Sequence, residues 1–219
     1  MPLHAVISDL DGVIVNSEDA HYLSFKKMMR QDYGIEYDQT NERIFLGTTD
    51  IFVFETLKKK HPKIKESLSD LIQRRNQYYF ETFGKEVHPL PGILDFFKHL
   101  QKNKIPLAIG TNASRQVAQF VIDTLSLKSY IQTHVCADDV NRGKPDPELF
   151  LKCAEKLEVD PKNTLVIEDS NYGVQAAKAA GMKCIAIPCG PTKGQDHSQA
   201  DLVLKSATEL TPKVLDALF

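Results

Sequence analysis

The sequence has no long apolar run and no recognisable leader. It contains no stretch of 18 apolar residues, so we expect no transmembrane helix. The opening stretch M-P-L-H-A-V-I-S-D has no basic segment and already carries Asp9, which is not typical of a signal peptide. We therefore expect a protein that does not cross a membrane and is not secreted.

Cysteine is scarce and shows no pattern. The chain has four cysteines and no C-x-x-C pair. A zinc site built on Cys184 and Cys189 lacks two credible further ligands, and a chain of this size needs no disulfide staples. We interpret the cysteines as reduced thiols, mostly in the core of a cytoplasmic protein.

The chain also lacks an excess of charge of either sign. With 27 basic and 29 acidic residues, the formal net charge is -2, which gives no electrostatic basis for binding nucleic acid or an acidic membrane. The apolar fraction of 42% is ordinary for a globular enzyme. A length of 219 residues suits one sizeable domain, alone or with a smaller insert.

What is present, from residue 87 onward, is an alternation of short apolar runs and stretches of helical period. Alternating strands and helices predict a parallel sheet with helices on both faces, that is, an α/β fold with a Rossmann-like doubly wound core. We predict strands near residues 4–9, 105–110, 133–137, 164–168, 182–188 and 201–204.

The alternation is interrupted between residues 17 and 83. This part has no convincing strand and three stretches of helical period, at about residues 18–31, 50–60 and 65–83. We therefore predict a core made of residues 1–15 and 85–219, with an inserted α-helical domain of residues 16–84.

Polar residues follow four of the predicted strands. Ligands bind beyond the carboxyl ends of the strands in an open parallel sheet, so these residues should meet at one edge. Clustered carboxylates are costly without partners, so a further group must neutralise them. The stretches are D-L-D-G-V with Asp9 and Asp11, G-T-N-A-S with Thr111 and Asn112, R-G-K-P-D-P with Lys144, and E-D-S with Glu168 and Asp169.

In this order the four stretches resemble the haloacid dehalogenase-like superfamily of phosphotransferases. The inserted helices resemble the cap of its β-phosphoglucomutase and phosphoglycolate phosphatase branch, and the likeness covers essentially the whole chain. The resemblance implies that Asp9 is the nucleophile that forms an aspartyl-phosphate. It also implies a Mg²⁺ site made of Asp9, Asp11 through its backbone carbonyl, and Asp169, with Glu168 ligating directly or holding a metal-bound water.

The resemblance assigns the remaining roles in phosphoryl transfer. Asp11 is the candidate general acid and then the base that activates water. Lys144, Thr111 and the backbone near Asn112 are expected to bind the phosphoryl group, and Gly12 lets the chain turn close to it. A dehalogenase needs no second aspartate, so Asp11 favours phosphate chemistry.

The cap is expected to contribute the substrate contacts. In the resembled branch a histidine at the position of His21 points toward the phosphate, although His21 also suits an exposed helix face. Gly47, Thr48 and Thr49 are expected on the cap face above the site, and Arg115 at the non-transferred end of the substrate. Aromatic residues of the third cap helix are read as core packing; they are Tyr78, Tyr79, Phe80 and Phe83.

The sequence favours a phosphatase over a mutase. β-Phosphoglucomutases tend to carry K-G-x-S-R in the cap, whereas this chain has L-G-T-T-D, with Leu46 in place of the lysine and Asp50 in place of the arginine. A negative charge there repels a second phosphate. We expect a Mg²⁺-dependent phosphatase of a small phosphorylated metabolite, as a monomer or weak dimer. The alternatives are a β-phosphoglucomutase-like sugar phosphomutase and, less favoured, a non-catalytic phosphate-binding or partner protein.

Overall fold

A computed structural model of the chain describes residues 2–38, 45, 47–83 and 88–219. Its centre is a six-stranded sheet in the order β3-β2-β1-β4-β5-β6, in which every neighbouring pair is parallel. The predicted doubly wound α/β fold is confirmed. The strands are β1 Ala5–Ser8, β2 Leu107–Gly110, β3 Thr133–Val135, β4 Thr164–Glu168, β5 Lys183–Ala186 and β6 Leu202–Val203.

The helices follow the predicted order along the chain. Within the described residues, three of them lie between β1 and β2 in the insert, and a fourth follows them before β2. The α-helices are α1 Glu18–Tyr33, α2 Asp50–Lys60, α3 Leu68–Thr82, α4 Ile93–Lys102, α5 Arg115–Thr124, α6 Glu148–Lys156, α7 Asn171–Ala179 and α8 Pro212–Leu218.

The sheet is buried on both faces because its side chains alternate between two apolar clusters. In β1, Val6 packs with α4 and α5, whereas its neighbour Ile7 packs with α6 and α7. Both side chains are fully buried, and burial of a side chain of this size contributes about 1.5–3 kcal/mol. A strand buried on both faces reads as a continuous apolar run, which is why the sequence reveals it.

The three inserted helices have an apolar cluster of their own, which includes Phe25, Met28, Phe54 and Leu71. Helix α2 has the predicted bounds. Helix α3 begins after the predicted residue 65 because the hydroxyl of Ser67 accepts the Asp70 backbone N–H at 3.1 Å and caps the helix. Residues 84–87, where the insert was expected to end, lie outside the described residues, and the division at 16–84 stays our proposal.

The end of α3 packs on the core rather than only on the cap. The rings of Phe80 and Phe120 lie 4.7 Å apart, and Tyr79 and Phe83 belong to the core cluster that contains α5. The Asn76 amide also donates to Ser114 Oγ at 3.1 Å. These contacts hold the cap above the carboxyl edge of the sheet.

Within the described ranges, no helix combines the length and the apolar character that a bilayer crossing requires.

Candidate active site

The carboxyl ends of the strands bring the predicted site residues to one cavity. Asp9 follows β1, Thr111 follows β2 and Asp169 follows β4, and the three strands are neighbours in the sheet. The cavity has a volume of about 100 Å³. Of the residues predicted from the sequence, it is lined by Asp9, Asp11, His21, Gly47, Thr48, Thr111, Asn112, Lys144, Glu168 and Asp169.

Lys144 lies between two carboxylates at the bottom of the cavity. Its Nζ is 2.5 Å from Asp9 Oδ1 and 2.6 Å from Glu168 Oε1, and all three side chains are buried. Burial alone would lower the pKa of Lys144, but the two carboxylates outweigh it and raise the pKa above its usual value. Lys144 is therefore a fixed positive charge at the nucleophile.

The acidic groups of the cavity form a cluster suited to a cation. Asp9, Glu168 and Asp169 each offer a ligand oxygen, and these oxygens lie within 4.8 Å of one another. Burial and the carboxylates of Glu168 and Asp11 raise the pKa of Asp9 well above its usual value, although Lys144 opposes the shift. The single positive charge of Lys144 does not balance the three carboxylates. A site that offers only oxygen ligands fits Mg²⁺.

Glu168 also organises the loop that follows β4. Its Oε2 accepts the backbone N–H groups of Asp169 and Ser170, both at 2.8 Å, and the Ser170 hydroxyl at 2.9 Å. With Lys144 on Oε1, both oxygens of Glu168 already have donors. The sequence left two roles open for Glu168, direct ligation of the cation or contact through a metal-bound water. This arrangement favours the second.

Asp11 is directed away from this cluster, toward α1. Its Oδ1 accepts from the Ser17 hydroxyl and lies 3.1 Å from His21 Nε2. Burial would raise the pKa of Asp11, but the imidazole of His21 and the hydrogen bonds outweigh it and lower the pKa. Two aspartates two residues apart therefore have opposite pKa shifts because they face different surroundings.

The turn between these aspartates and the cap requires glycine. Gly12 has φ +84°, and a Cβ at this position would overlap Oδ2 of Asp169. The glycine in D-L-D-G-V thus lets the β1 and β4 loops approach each other closely.

Asn112 connects three parts of the site. Its Oδ1 accepts the Lys144 backbone N–H at 3.0 Å, and its Nδ2 donates to the Gly47 carbonyl at 2.8 Å and to the Lys144 carbonyl at 3.3 Å. The side-chain amide is committed to these partners, which leaves the backbone for the expected phosphate contact. Thr111 Oγ1 accepts the Ala113 N–H at 3.0 Å and lies 3.5 Å from Asp11 Oδ2.

Comparison with known proteins agrees with this geometry. The family model described as haloacid dehalogenase-like hydrolase matches residues 6–187. The chain belongs to this family. A likeness to the crystal structure of CbbY from Rhodobacter sphaeroides in complex with phosphate has a TM-score of 0.88 at 23% identity, over 98% of this chain and 99% of that one, and supports the fold.

Curated relatives of this hydrolase carry both phosphatase and mutase names. The phosphorylated carbohydrates phosphatase of Thermotoga maritima is 31% identical over 84% of each chain. The β-phosphoglucomutase of Bacillus subtilis is 30% identical over 97% of this chain and 94% of that protein. The bifunctional riboflavin kinase/FMN phosphatase of Arabidopsis thaliana is 30% identical over 94% of this chain, which spans only 54% of that relative.

The cap side of the cavity of this hydrolase contains an arginine that the sequence did not reveal. Arg75 on α3 is 1% exposed, its Nη2 contacts His21 Nδ1, and its Nη1 lies 3.3 Å from Asp50 Oδ2. Because a guanidinium only donates, Nδ1 of His21 accepts and Nε2 carries the proton that faces Asp11. Asp50 is thus not the unpaired negative charge that the sequence suggested, because Arg75 neutralises it.

Arg115 is a predicted substrate contact that the structure keeps out of the cavity lining, and Thr49 is absent from that lining as well. Its Nη2 lies 2.5 Å from Asp139 Oδ1, and its backbone N–H donates to Asp138. The side chain faces a separate surface groove beside Gln116 and Phe120. The substrate contact expected for Arg115 has no support from this position, and we do not include it in the proposed mechanism.

Other lining residues were missed for two different reasons. Four aromatic side chains of the cap, Tyr22, Phe25, Tyr37 and Phe45, line the cavity, but nothing in their spacing separates them from ordinary core residues. Thr192 lines it too, in the segment that follows β5. The expectation that ligands bind beyond the carboxyl ends of parallel strands applies equally to β5, and it would have indicated this segment.

Proposed function

We propose that this hydrolase is a Mg²⁺-dependent phosphatase that cleaves a small phosphomonoester through an aspartyl-phosphate on Asp9. The observation that carries the proposal is the contrast between the two aspartates. Asp9 lies in a buried cluster with Lys144 and two further carboxylates, whereas Asp11 belongs to a separate hydrogen-bonding system with Ser17 and His21. One aspartate is suited to attack, and the other to proton transfer.

The cation would be held by side-chain oxygens of Asp9 and Asp169 and by the backbone carbonyl of Asp11, with Glu168 in support. When bound, Mg²⁺ offsets the charge of the carboxylates and of the phosphoryl oxygens. The buried three-carboxylate cluster is the feature of this chain that fits such an ion.

The protein groups then divide the chemistry between two steps. In the first, an Asp9 oxygen bonds to phosphorus while the bond from phosphorus to the leaving oxygen breaks, and Asp11 gives that oxygen a proton. In the second, Asp11 takes a proton from the water that cleaves the aspartyl-phosphate. The lowered pKa of Asp11 favours the carboxylate, which is the form that the second step needs, whereas the first step needs the carboxylic acid, which this shift disfavours. Lys144 and the Thr111 hydroxyl stabilise the phosphoryl oxygens.

The charge balance of the cavity favours a single phosphate. The described lining residues include one lysine and one arginine, and both are paired. Lys144 pairs with Asp9 and Glu168, whereas Arg75 pairs with Asp50. A mutase that passes through a bisphosphate needs a further cationic site, and the part of the lining that the structure describes offers no cation beyond these two. Leu46, the other position that distinguished the two activities in the sequence, lies outside the described residues.

The cavity volume of about 100 Å³ favours a small leaving group. The cap residues Phe45, Gly47 and Thr48 line the cavity together with core residues, so movement of the cap would change the space open to a substrate. A small phosphorylated carbohydrate is the substrate class that agrees with this space and with the name of the Thermotoga maritima relative.

The first test is Asp9→Asn, assayed with p-nitrophenyl phosphate and a panel of sugar phosphates in Mg²⁺. We expect turnover to fall at least about 10³-fold, as on removal of other covalent nucleophiles. Asp19→Asn, at an exposed aspartate of α1, is the matched control and should keep wild-type turnover. Near wild-type activity in Asp9→Asn would refute the nucleophile, and turnover unaffected by EDTA would refute the cation.

A second test separates hydrolysis from phosphoryl transfer to a sugar. β-Glucose 1-phosphate is supplied together with glucose 1,6-bisphosphate, and both inorganic phosphate and glucose 6-phosphate are measured. With the bisphosphate supplied only in trace amount, a phosphatase releases phosphate and forms no more glucose 6-phosphate than the bisphosphate supplied, because hydrolysis of the bisphosphate at C1 itself gives glucose 6-phosphate. Stoichiometric glucose 6-phosphate would instead establish the mutase, the alternative that the Bacillus subtilis relative supports.

Location and assembly stay predictions. A cytoplasmic protein, monomeric or weakly dimeric, that binds neither nucleic acid nor membranes agrees with the composition. A non-catalytic role is disfavoured because every acid and base that the reaction requires is present in the cavity.

A further inference from the structure

The segment of residues 189–197 packs against the loop that carries Asp169. It follows β5, and its first part is a short 3₁₀ helix, Gly190–Gly194. Two of its side chains reach Asp169 directly. Thr192 Oγ1 lies 3.0 Å from Asp169 Oδ2, and His197 Nε2 lies 2.7 Å from the Asp169 carbonyl oxygen. Both Thr192 and His197 are buried, at 1% and 8% exposure.

The chemistry of these groups fixes the direction of both hydrogen bonds. A carbonyl oxygen only accepts, so His197 Nε2 carries the proton. The Thr192 hydroxyl accepts the Cys189 N–H at 2.9 Å and has one proton, which faces either the Cys189 carbonyl at 2.7 Å or the Asp169 carboxylate. The ionised carboxylate is the stronger acceptor. Thr192 thus restrains the rotation of the carboxylate, and His197 restrains its backbone.

The segment also forms hydrogen bonds with Asn171, the first residue of α7, which follows the Asp169 loop. The Asn171 backbone N–H donates to Gln195 Oε1 at 2.7 Å, and Asn171 Nδ2 donates to the Asp196 carbonyl at 2.5 Å. On the opposite side, Glu168 holds the backbone N–H of Asp169. Asp169 is therefore fixed from both sides, by its own strand end and by the segment after β5.

We propose that the segment of residues 189–197 is a brace for the cation site, and that Thr192 is a positioning residue that sets the affinity for the divalent cation through Asp169. The inference rests on the cation site of the proposed function, but it concerns residues with no assigned role in the reaction. Partners that orient a ligand side chain typically change metal affinity by about 10- to 100-fold when they are removed.

The test measures metal binding rather than turnover. Full-length wild type, Thr192→Val and Thr192→Ser are titrated with Mg²⁺ by calorimetry, and with Mn²⁺ by electron paramagnetic resonance. We expect the dissociation constant of Thr192→Val to rise at least about 10-fold, because valine keeps the shape and loses the hydroxyl. Thr192→Ser, which keeps the hydroxyl, should stay close to wild type. At saturating Mg²⁺, kcat should return while the Mg²⁺ concentration for half-maximal rate stays raised.

The outcomes separate this inference from the proposed function. Wild-type protein that binds neither ion would refute the cation site itself. Wild type that binds both ions, with a folded Thr192→Val of unchanged affinity, would overturn the brace alone. If circular dichroism shows that Thr192→Val is unfolded, His197→Leu decides instead: weaker binding supports the brace, and unchanged binding overturns it.

Discussion

Replacement of Lys144 by methionine should destabilise the metal-free protein strongly. The ammonium group is buried between Asp9 and Glu168, at 2.5 and 2.6 Å, and neither carboxylate is accessible enough for water to replace it. Removal of one partner of a buried ion pair costs about 3–5 kcal/mol because a charge is left without compensation. For a chain of this length, each kcal/mol shifts the melting temperature by about 2–4 °C, so we expect a fall of roughly 6–20 °C.

The assay is thermal and urea denaturation of wild type and Lys144→Met, first in EDTA and then in Mg²⁺. The deficit should shrink in Mg²⁺, because a cation at the carboxylates restores part of the lost positive charge. Turnover should remain low even in Mg²⁺, by about 10²- to 10³-fold, because the phosphoryl oxygens lose a fixed charge.

A surface lysine provides the matched control for this variant. The Lys98 ammonium lies 3.1 Å from Asp95 Oδ1, but its side chain is 60% exposed, and such surface pairs contribute little to stability. Lys98→Met should therefore melt close to wild type. If Lys144→Met in EDTA were as stable as Lys98→Met, the buried pair would not have the energetic role that its geometry implies.

Two further predictions concern a glycine and a distant carboxylate. Gly12→Ala should lose Mg²⁺-dependent turnover, because its Cβ would overlap the Asp169 carboxylate, whereas Gly34→Ala, with a φ of +60° and open space, should lose only about 1 kcal/mol of stability in a melting assay. Burial would raise the pKa of Asp201, but hydrogen bonds from Lys178 and neighbouring donors outweigh it and lower the pKa. Asp201→Asn should therefore cost about 1 kcal/mol at pH 7 in urea denaturation, after allowance for screening. That difference should vanish as the pH falls from about 4 through the lowered pKa, and a constant difference at pH 3 would contradict it.

The fold and the centre of the site were predictable from the sequence because they depend on local signals. Strands buried on both faces read as apolar runs, and the residues after them meet at one edge whatever the details of packing. Asp9, Thr111, Lys144 and Asp169 could therefore be assigned to one cavity in advance.

The partners of these residues were not predictable, since they depend on packing between distant segments. Arg75 reaches His21 across 54 positions, and the sequence gives no sign that it neutralises Asp50. Arg115 illustrates the opposite case: its position just after the phosphate-binding turn suggested a substrate contact, but its guanidinium pairs with Asp139 outside the cavity lining. The sequence does not show which partner a charged residue has, and the partner decides what the residue can do.

The contact between Lys144 and Asp9 joins positions 135 residues apart, so no short fragment of the chain carries both reactive groups. Contacts of such sequence separation form late and slowly, because a long loop must close first. Phosphate release during refolding should consequently lag behind the recovery of helix measured by circular dichroism. Turnover would then serve as a measure of tertiary assembly, since product forms only after the segments that carry Asp9 and Lys144 have come together.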